Sequence, residues 1–260
     1  MRILTTCLGI GLFLGATLAA TVDPYDVQDA SDNKPQTTTN ELMHGSDQWH
    51  DLAAIRGTEA DEDWYRFSQK PFSSYEVVVE GISGDVAGAA FAVQRIDSNG
   101  STVLQSAALT GPVNRSLRFV NATAAAVNNQ YIVVKSAACG IACGTDDVYR
   151  IRASETTASV SRFNNTGSQV TVLLLQNPAD YTIAGTVYFW NASGAAVATA
   201  PFSLAAKAQF VLPTQTVTSG TSGHLTIAHN GRYGDLGGKG MALEPATGFS
   251  FDTPLEHRPR

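Results

Sequence analysis

The apolar residues of this chain come in short runs, about four to eight long, rich in β-branched and aromatic side chains. In the first half these runs are Tyr75–Glu80, Ala89–Ile96, Leu117–Val120, Tyr131–Lys135 and Val148–Ala153. The second half repeats the style at Val170–Gln176, Thr186–Trp190, Ala195–Thr199, Gln209–Leu212, His224–Ala228 and Gly240–Leu243. Clusters of Gly, Asn, Asp and Ser separate them, as in Asp97-Ser98-Asn99-Gly100 and the hairpin-like Asn191-Ala192-Ser193-Gly194. No segment sustains a 3.6-residue apolar period; residues 40–54 alone read as a helical turn or two. Many short strands with closely spaced turns predict an all-β chain. We expect two tandem antiparallel β-sandwiches of jelly-roll or immunoglobulin-like type. The first spans 21–155 and the second 156–254, with a mobile polar tail at 255–260. The boundary falls at Glu155-Thr156-Thr157-Ala158, where one strand pattern stops before Val160-Ser161-Arg162-Phe163 begins another.

Strands of this kind spend their positions on Val, Thr, Ala, Gly and aromatics. Only 15% of the residues are charged, against roughly 25% in ordinary domains. That composition excludes a coiled coil, and the apolar content of 43% argues against disorder. A net charge of -6 leaves no basic stripe to neutralise phosphates, so no nucleic-acid partner is expected.

Residues 1–20 read as an export signal. Met1-Arg2 supply the positive start, Ile3–Leu14 the apolar run, and Thr17 and Ala19 the small residues before a cut. Cys7 precedes most of that run, which argues against a lipid-attachment cysteine. No later stretch approaches the roughly 20 apolar residues that a spanning helix needs. We expect a protein secreted or released into the periplasm, with no transmembrane segment in the mature chain.

The negative charge is localised. Residues 21–70 hold 11 acidic and 4 basic residues, whereas 71–260 hold 12 of each. Carboxylates at alternate positions of a strand point to one side. Asp61 and Asp63 can therefore converge with Asp23 or Asp26 on one cation, and Ca²⁺ takes carboxylate oxygens. The other reading is a solvated acidic face that aids solubility. No cofactor is required in either case.

The segment Asp61-Glu62-Asp63-Trp64-Tyr65-Arg66-Phe67, with Asp23, Asp26 and Asn33 upstream and Tyr131 and Tyr149 in later strands, resembles the bacterial pre-peptidase C-terminal domain. The resemblance covers about residues 23–154 and implies a β-sandwich. The opening lacks the family's usual Glu-Pro/Pro-Asn-Asp run. Residues 158–253 resemble a C-terminal β-sandwich module of secreted bacterial proteins. That resemblance is carried by Arg162-Phe163-Asn164-Asn165, Phe189-Trp190 before Gly194, Pro201-Phe202-Ser203-Leu204 and Ala242–Thr253. It implies architecture only.

Cys139 and Cys143 are the two cysteines left once the signal is removed. In oxidising surroundings they are expected to staple a hairpin. Two thiols with no nearby histidine are too few for zinc. Strict alternation cannot bury Trp64, Tyr65 and Phe67 on one face, so one of them is expected at the surface. Trp64 and Tyr65, with Phe249 and Phe251 of the last strand, are the candidate binding surface. Glu244 is expected to pair with Arg162.

No catalytic set is legible. The five histidines are scattered, and the sequence has no His-Glu-x-x-His segment and no Gly-x-Ser-x-Gly elbow. The glycine-rich stretch 231–240 lacks the Lys-Ser/Thr and helix of a phosphate loop. We expect a secreted, non-catalytic binding or accessory protein, with polysaccharide, protein or cell envelope as candidate ligands. An accessory subunit or relative of a secreted hydrolase, and a Ca²⁺-rigidified structural spacer, are the alternatives.

Overall fold

A computed structural model describes residues 23, 32–54, 59–87, 91–109, 114–136 and 139–260. The expected signal segment and Asp26 lie outside them. The first ten strands are β1 (Glu41–Leu42), β2 (Asp47–Asp51), β3 (Glu62–Gln69), β4 (Ser73–Gly81), β5 (Phe91–Ile96), β6 (Val103–Ser106), β7 (Ala108–Leu109), β8 (Asn114–Asn121), β9 (Val127–Ser136) and β10 (Val148–Glu155). Eight more follow: β11 (Ala158–Asn164), β12 (Val170–Gln176), β13 (Ile183–Asn191), β14 (Ala196–Leu204), β15 (Gln209–Pro213), β16 (Ser222–His229), β17 (Gly237–Glu244) and β18 (Phe249–His257). The fold is an all-β sandwich architecture. Residues 40–54 form β1 and β2 rather than helical turns. Both are short edge strands, and their pairing with β3 and β10 overrides weak local helix preference.

In the first half two five-stranded sheets face each other, in the orders β1-β3-β9-β5-β6 and β2-β10-β4-β8-β7. Alternation places Tyr65 and Phe67 of β3, Val77 and Val79 of β4, Ile132 and Val134 of β9, and Tyr149 and Ile151 of β10 in the core between them. In the second half the strands join in one eight-stranded sheet, β14-β13-β16-β11-β18-β17-β12-β15. It folds over itself, since Val160 and Phe163 of β11, Leu173 and Leu175 of β12, Val187 and Phe189 of β13 and Leu225 and Ile227 of β16 share one core. The last strand is not an appendage: β18 lies between β11 and β17.

Two residues, Thr156 and Thr157, connect β10 to β11, so the halves are held close. Phe72, at φ +50° in the β3–β4 turn, packs its ring tilted against Tyr188 at 4.7 Å and edge-on to Trp190 at 5.6 Å. The His229 N–H donates to Ser74 Oγ at 3.1 Å, and the Tyr233 N–H to Glu76 Oε2 at 3.0 Å. The His229 side chain is fully buried at this junction, and burial lowers its pKa to about 4.

Two expectations need correction. Residues 255–260 do not form a free tail: Leu255 to His257 belong to β18, Arg258 donates to Glu155 Oε2 at 2.9 Å, and His44 Nε2 meets the Pro259 carbonyl at 2.7 Å. Glu244 and Arg162 do not pair. Arg162 bonds Gln169 Oε1 at 3.1 Å and lies 5.0 Å over Phe251, while Glu244 accepts the Ala246 N–H in the β17–β18 turn. The disulfide joins Cys139 and Cys143 across a short 3-10 turn, Gly140–Ala142.

Candidate metal centre

At one end of the first sandwich, inward-facing polar side chains from both sheets meet. Asp63 and Tyr65 alternate on the inner side of β3. His50 of β2 and Tyr149 of β10 are cross-strand partners, so they share a face of the opposite sheet. Asp32 and Asp23 come from the segment before β1. That segment is bound to β3: the Trp64 N–H donates to the Asp32 carbonyl at 2.8 Å, and Thr38 Oγ1 to the Trp64 carbonyl at 2.5 Å.

Asp23, Asp32, His50 and Asp63 each offer a ligand atom, and these four atoms lie within 4.8 Å of one another. All four side chains are buried, with Asp32 and Asp63 at 0% exposure. The surroundings hold some of these groups in place. Tyr149 donates its hydroxyl to Asp63 Oδ2, and Tyr65 hydrogen-bonds Tyr149 in turn. The His50 ring stacks on Tyr149 at 5.7 Å and meets the Tyr65 ring edge-on at 5.2 Å. His50 Nδ1 contacts Asp23 Oδ2, and Nε2 faces Gln48 Oε1 at 3.1 Å.

Among the described residues, no N–H or O–H donor reaches either carboxylate oxygen of Asp32, nor Asp63 Oδ1. Buried, unpaired carboxylates are costly. Burial, reinforced by the Asp23 charge, raises the Asp32 pKa to about 6. Burial and then the charges of Asp61, Asp32 and Asp23 push Asp63 well above the usual carboxylate range. Desolvation also raises Asp51. A divalent cation removes both penalties, because it neutralises the repulsion and fills the open coordination of the oxygens. The donor set of three carboxylates and one imidazole fits such an ion.

Of the residues expected at a cation site, Asp23 and Asp63 lie in this set. Asp61 lies beside it, its Oδ1 accepting from Asn33 Nδ2 at 3.0 Å. Asp26 lies outside the described residues. The sequence reading missed His50 and Asp32. The signal for His50 was present in Gln48-x-His50, an alternate-position pair on a short strand. Asp32 follows no strand period, because its segment lies before β1.

Trp64 and Tyr65 do not form a binding surface. Tyr65 is in the core, and Trp64 is buried on the other face of β3 with Tyr131 and Val133. Alternation does turn Trp64 away from the core, but its outward face is covered rather than exposed. Phe249 and Phe251 are exposed, Phe249 at 76%. A further grouping of Cys139, Cys143 and Asp147 offers no metal seat, since both sulfurs are in the disulfide and Asp147 accepts the N–H groups of Asp85 and Gly144.

No family model matches the chain, and no curated protein matches it. Among solved structures, one similar chain is described as the structure of a beta-glucuronidase from glycoside hydrolase family 2. It is 14% identical, aligned over 87% of this chain and 26% of that one, with a TM-score of 0.19. The chain thus spans about a quarter of that enzyme's length, and a likeness at this score carries no argument about activity.

Proposed function

We propose that this is an exported, non-catalytic accessory module whose first sandwich is made rigid by a divalent cation held by Asp23, Asp32, Asp63 and His50. The observation behind this reading is the Asp32 carboxylate: fully buried, aimed into a set of three further ligand groups, and met by no donor among the described residues. The burial of all four side chains favours a structural over a catalytic role. Bound there, the cation ties the segment before β1 to β2 and β3 and so fastens the two sheets at one end.

The test is calorimetry and thermal unfolding of the metal-stripped protein with added Ca²⁺ or Zn²⁺, beside an Asp32→Asn, Asp63→Asn double variant. Binding heat and a raised Tm with the wild type, both lost in the variant, are expected. No heat and no shift with any divalent ion would overturn the reading.

A further inference from the structure

The identity of the ion can be read from the hydrogen bonds behind His50, given the reading of the pocket as a cation seat. Gln48 lies two residues before His50 on β2. Its amide Nε2 donates to the Glu41 carbonyl of β1 at 3.3 Å. That bond fixes which way the amide faces and turns Oε1 toward the His50 ring, 3.1 Å from Nε2. An amide oxygen can only accept, so His50 Nε2 carries the proton. The other ring nitrogen, Nδ1, is the one turned to the carboxylates and in contact with Asp23 Oδ2.

A ring N–H anchored to an acceptor outside the site, with the other nitrogen facing carboxylates, is the arrangement seen behind metal-bound histidines. Asp63 repeats the pattern, with Oδ2 held by Tyr149 and Oδ1 left open. We infer that His50 is itself a ligand, through Nδ1, and that the site selects a first-row transition ion of the Zn²⁺ type over Ca²⁺. Imidazole suits Zn²⁺ and its neighbours, whereas Ca²⁺ takes oxygen. Four protein groups also match the four-coordinate preference of structural zinc.

The experiment is a set of titrations of metal-stripped full-length protein with Zn²⁺, Co²⁺ and Ca²⁺. Zn²⁺ is expected to bind at least about 100-fold tighter than Ca²⁺, and bound Co²⁺ to give visible absorption bands. His50→Ala should abolish the preference and change the Co²⁺ spectrum. Gln48→Leu leaves all four ligands in place; it should weaken Zn²⁺ by about 10- to 100-fold and leave Ca²⁺ affinity unchanged. Ca²⁺ binding as tight as Zn²⁺, or an unaltered Zn²⁺ preference in both variants, would overturn the inference while sparing the cation seat. Binding of no ion at all removes the seat as well. Should His50→Ala fail to fold, Gln48→Leu decides the question.

Discussion

The two halves solve the problem of buried polarity in different ways. In the second half, the buried polar side chains are Thr156, Asn165, Thr171, Asn177, Thr214 and His229, with no carboxylate among them. The chain satisfies its buried amides itself. Asn177 donates to the carbonyls of Tyr181, Leu204 and Ala205 and accepts the Ala179 N–H. Asn165 serves the Thr218 carbonyl, Thr171 N–H and Thr214 hydroxyl in the same manner. The first half buries Asp23, Asp32, Asp51, Asp61 and Asp63 near one another, and among the described residues no donor reaches the Asp32 oxygens or Asp63 Oδ1. An amide can be satisfied by the backbone around it. A cluster of like charges is completed by a cation.

The largest expected effect tests the self-sufficiency of the second half. Phe163 is fully buried against Phe189 at 5.4 Å. Phe163→Ala should cost about 3–5 kcal/mol, and the loss should be equal with and without chelator. A loss that depends on metal would show that the two halves are not separable in this way.

The next effect is on pH dependence. The folded-state pKa of His229 is about 4, below the ordinary value of 6.5, so the unfolded chain binds the extra proton first. Its contribution is present above pH 6.5 and is lost as pH falls toward 4, by up to about 3 kcal/mol. Asp32 runs the other way in the metal-free protein. Its folded-state pKa is about 6 against 3.8, so its contribution is present below 3.8 and lost as pH rises through 6. Urea unfolding of metal-free protein across pH 4–7 should show His229→Phe removing one slope and Asp32→Asn the other. Equal slopes in both variants and wild type would refute the contrast.

At neutral pH the same Asp32→Asn variant should be more stable than wild type in chelator, by about 2–3 kcal/mol, and less stable than wild type in saturating metal. Thermal unfolding under both conditions reads this crossover; a variant less stable in chelator would mean that its charge is compensated within the chain. The smallest effect belongs to the disulfide. Closing so short a loop is worth about 2 kcal/mol by chain entropy, and a Cys139→Ser, Cys143→Ser variant should lose that amount with no change in metal response.

The strands were legible wherever a β-branched run was flanked by turn residues. Val170–Gln176 agrees with β12 to the residue, and the break at Glu155–Ala158 coincides with the end of β10 and the start of β11. Legibility failed where a strand pairs at an edge or where the outward face of a sheet is itself buried. Leu42 and His50 sit on edge strands whose pairing depends on β3 and β10, so residues 40–54 carried no clear period. Trp64 obeys the alternation rule, yet the sequence cannot show that its outward face is covered. The acidic bias of residues 21–70 marked the region of the pocket. It did not identify which carboxylates meet, because Asp32 reaches Asp63 through backbone bonds between a segment with no period and a strand.

The contacts of residues 258–260 also have a kinetic meaning. The His44–Pro259 contact joins positions 215 apart, and Arg258–Glu155 positions 103 apart. Such pairs gain nothing until the intervening chain is already compact. They are expected to form last in folding and to open first under stress. A brief loosening at this clasp would free Tyr233, whose hydroxyl donates to the Arg258 carbonyl, and expose the junction between the halves while both cores stay intact.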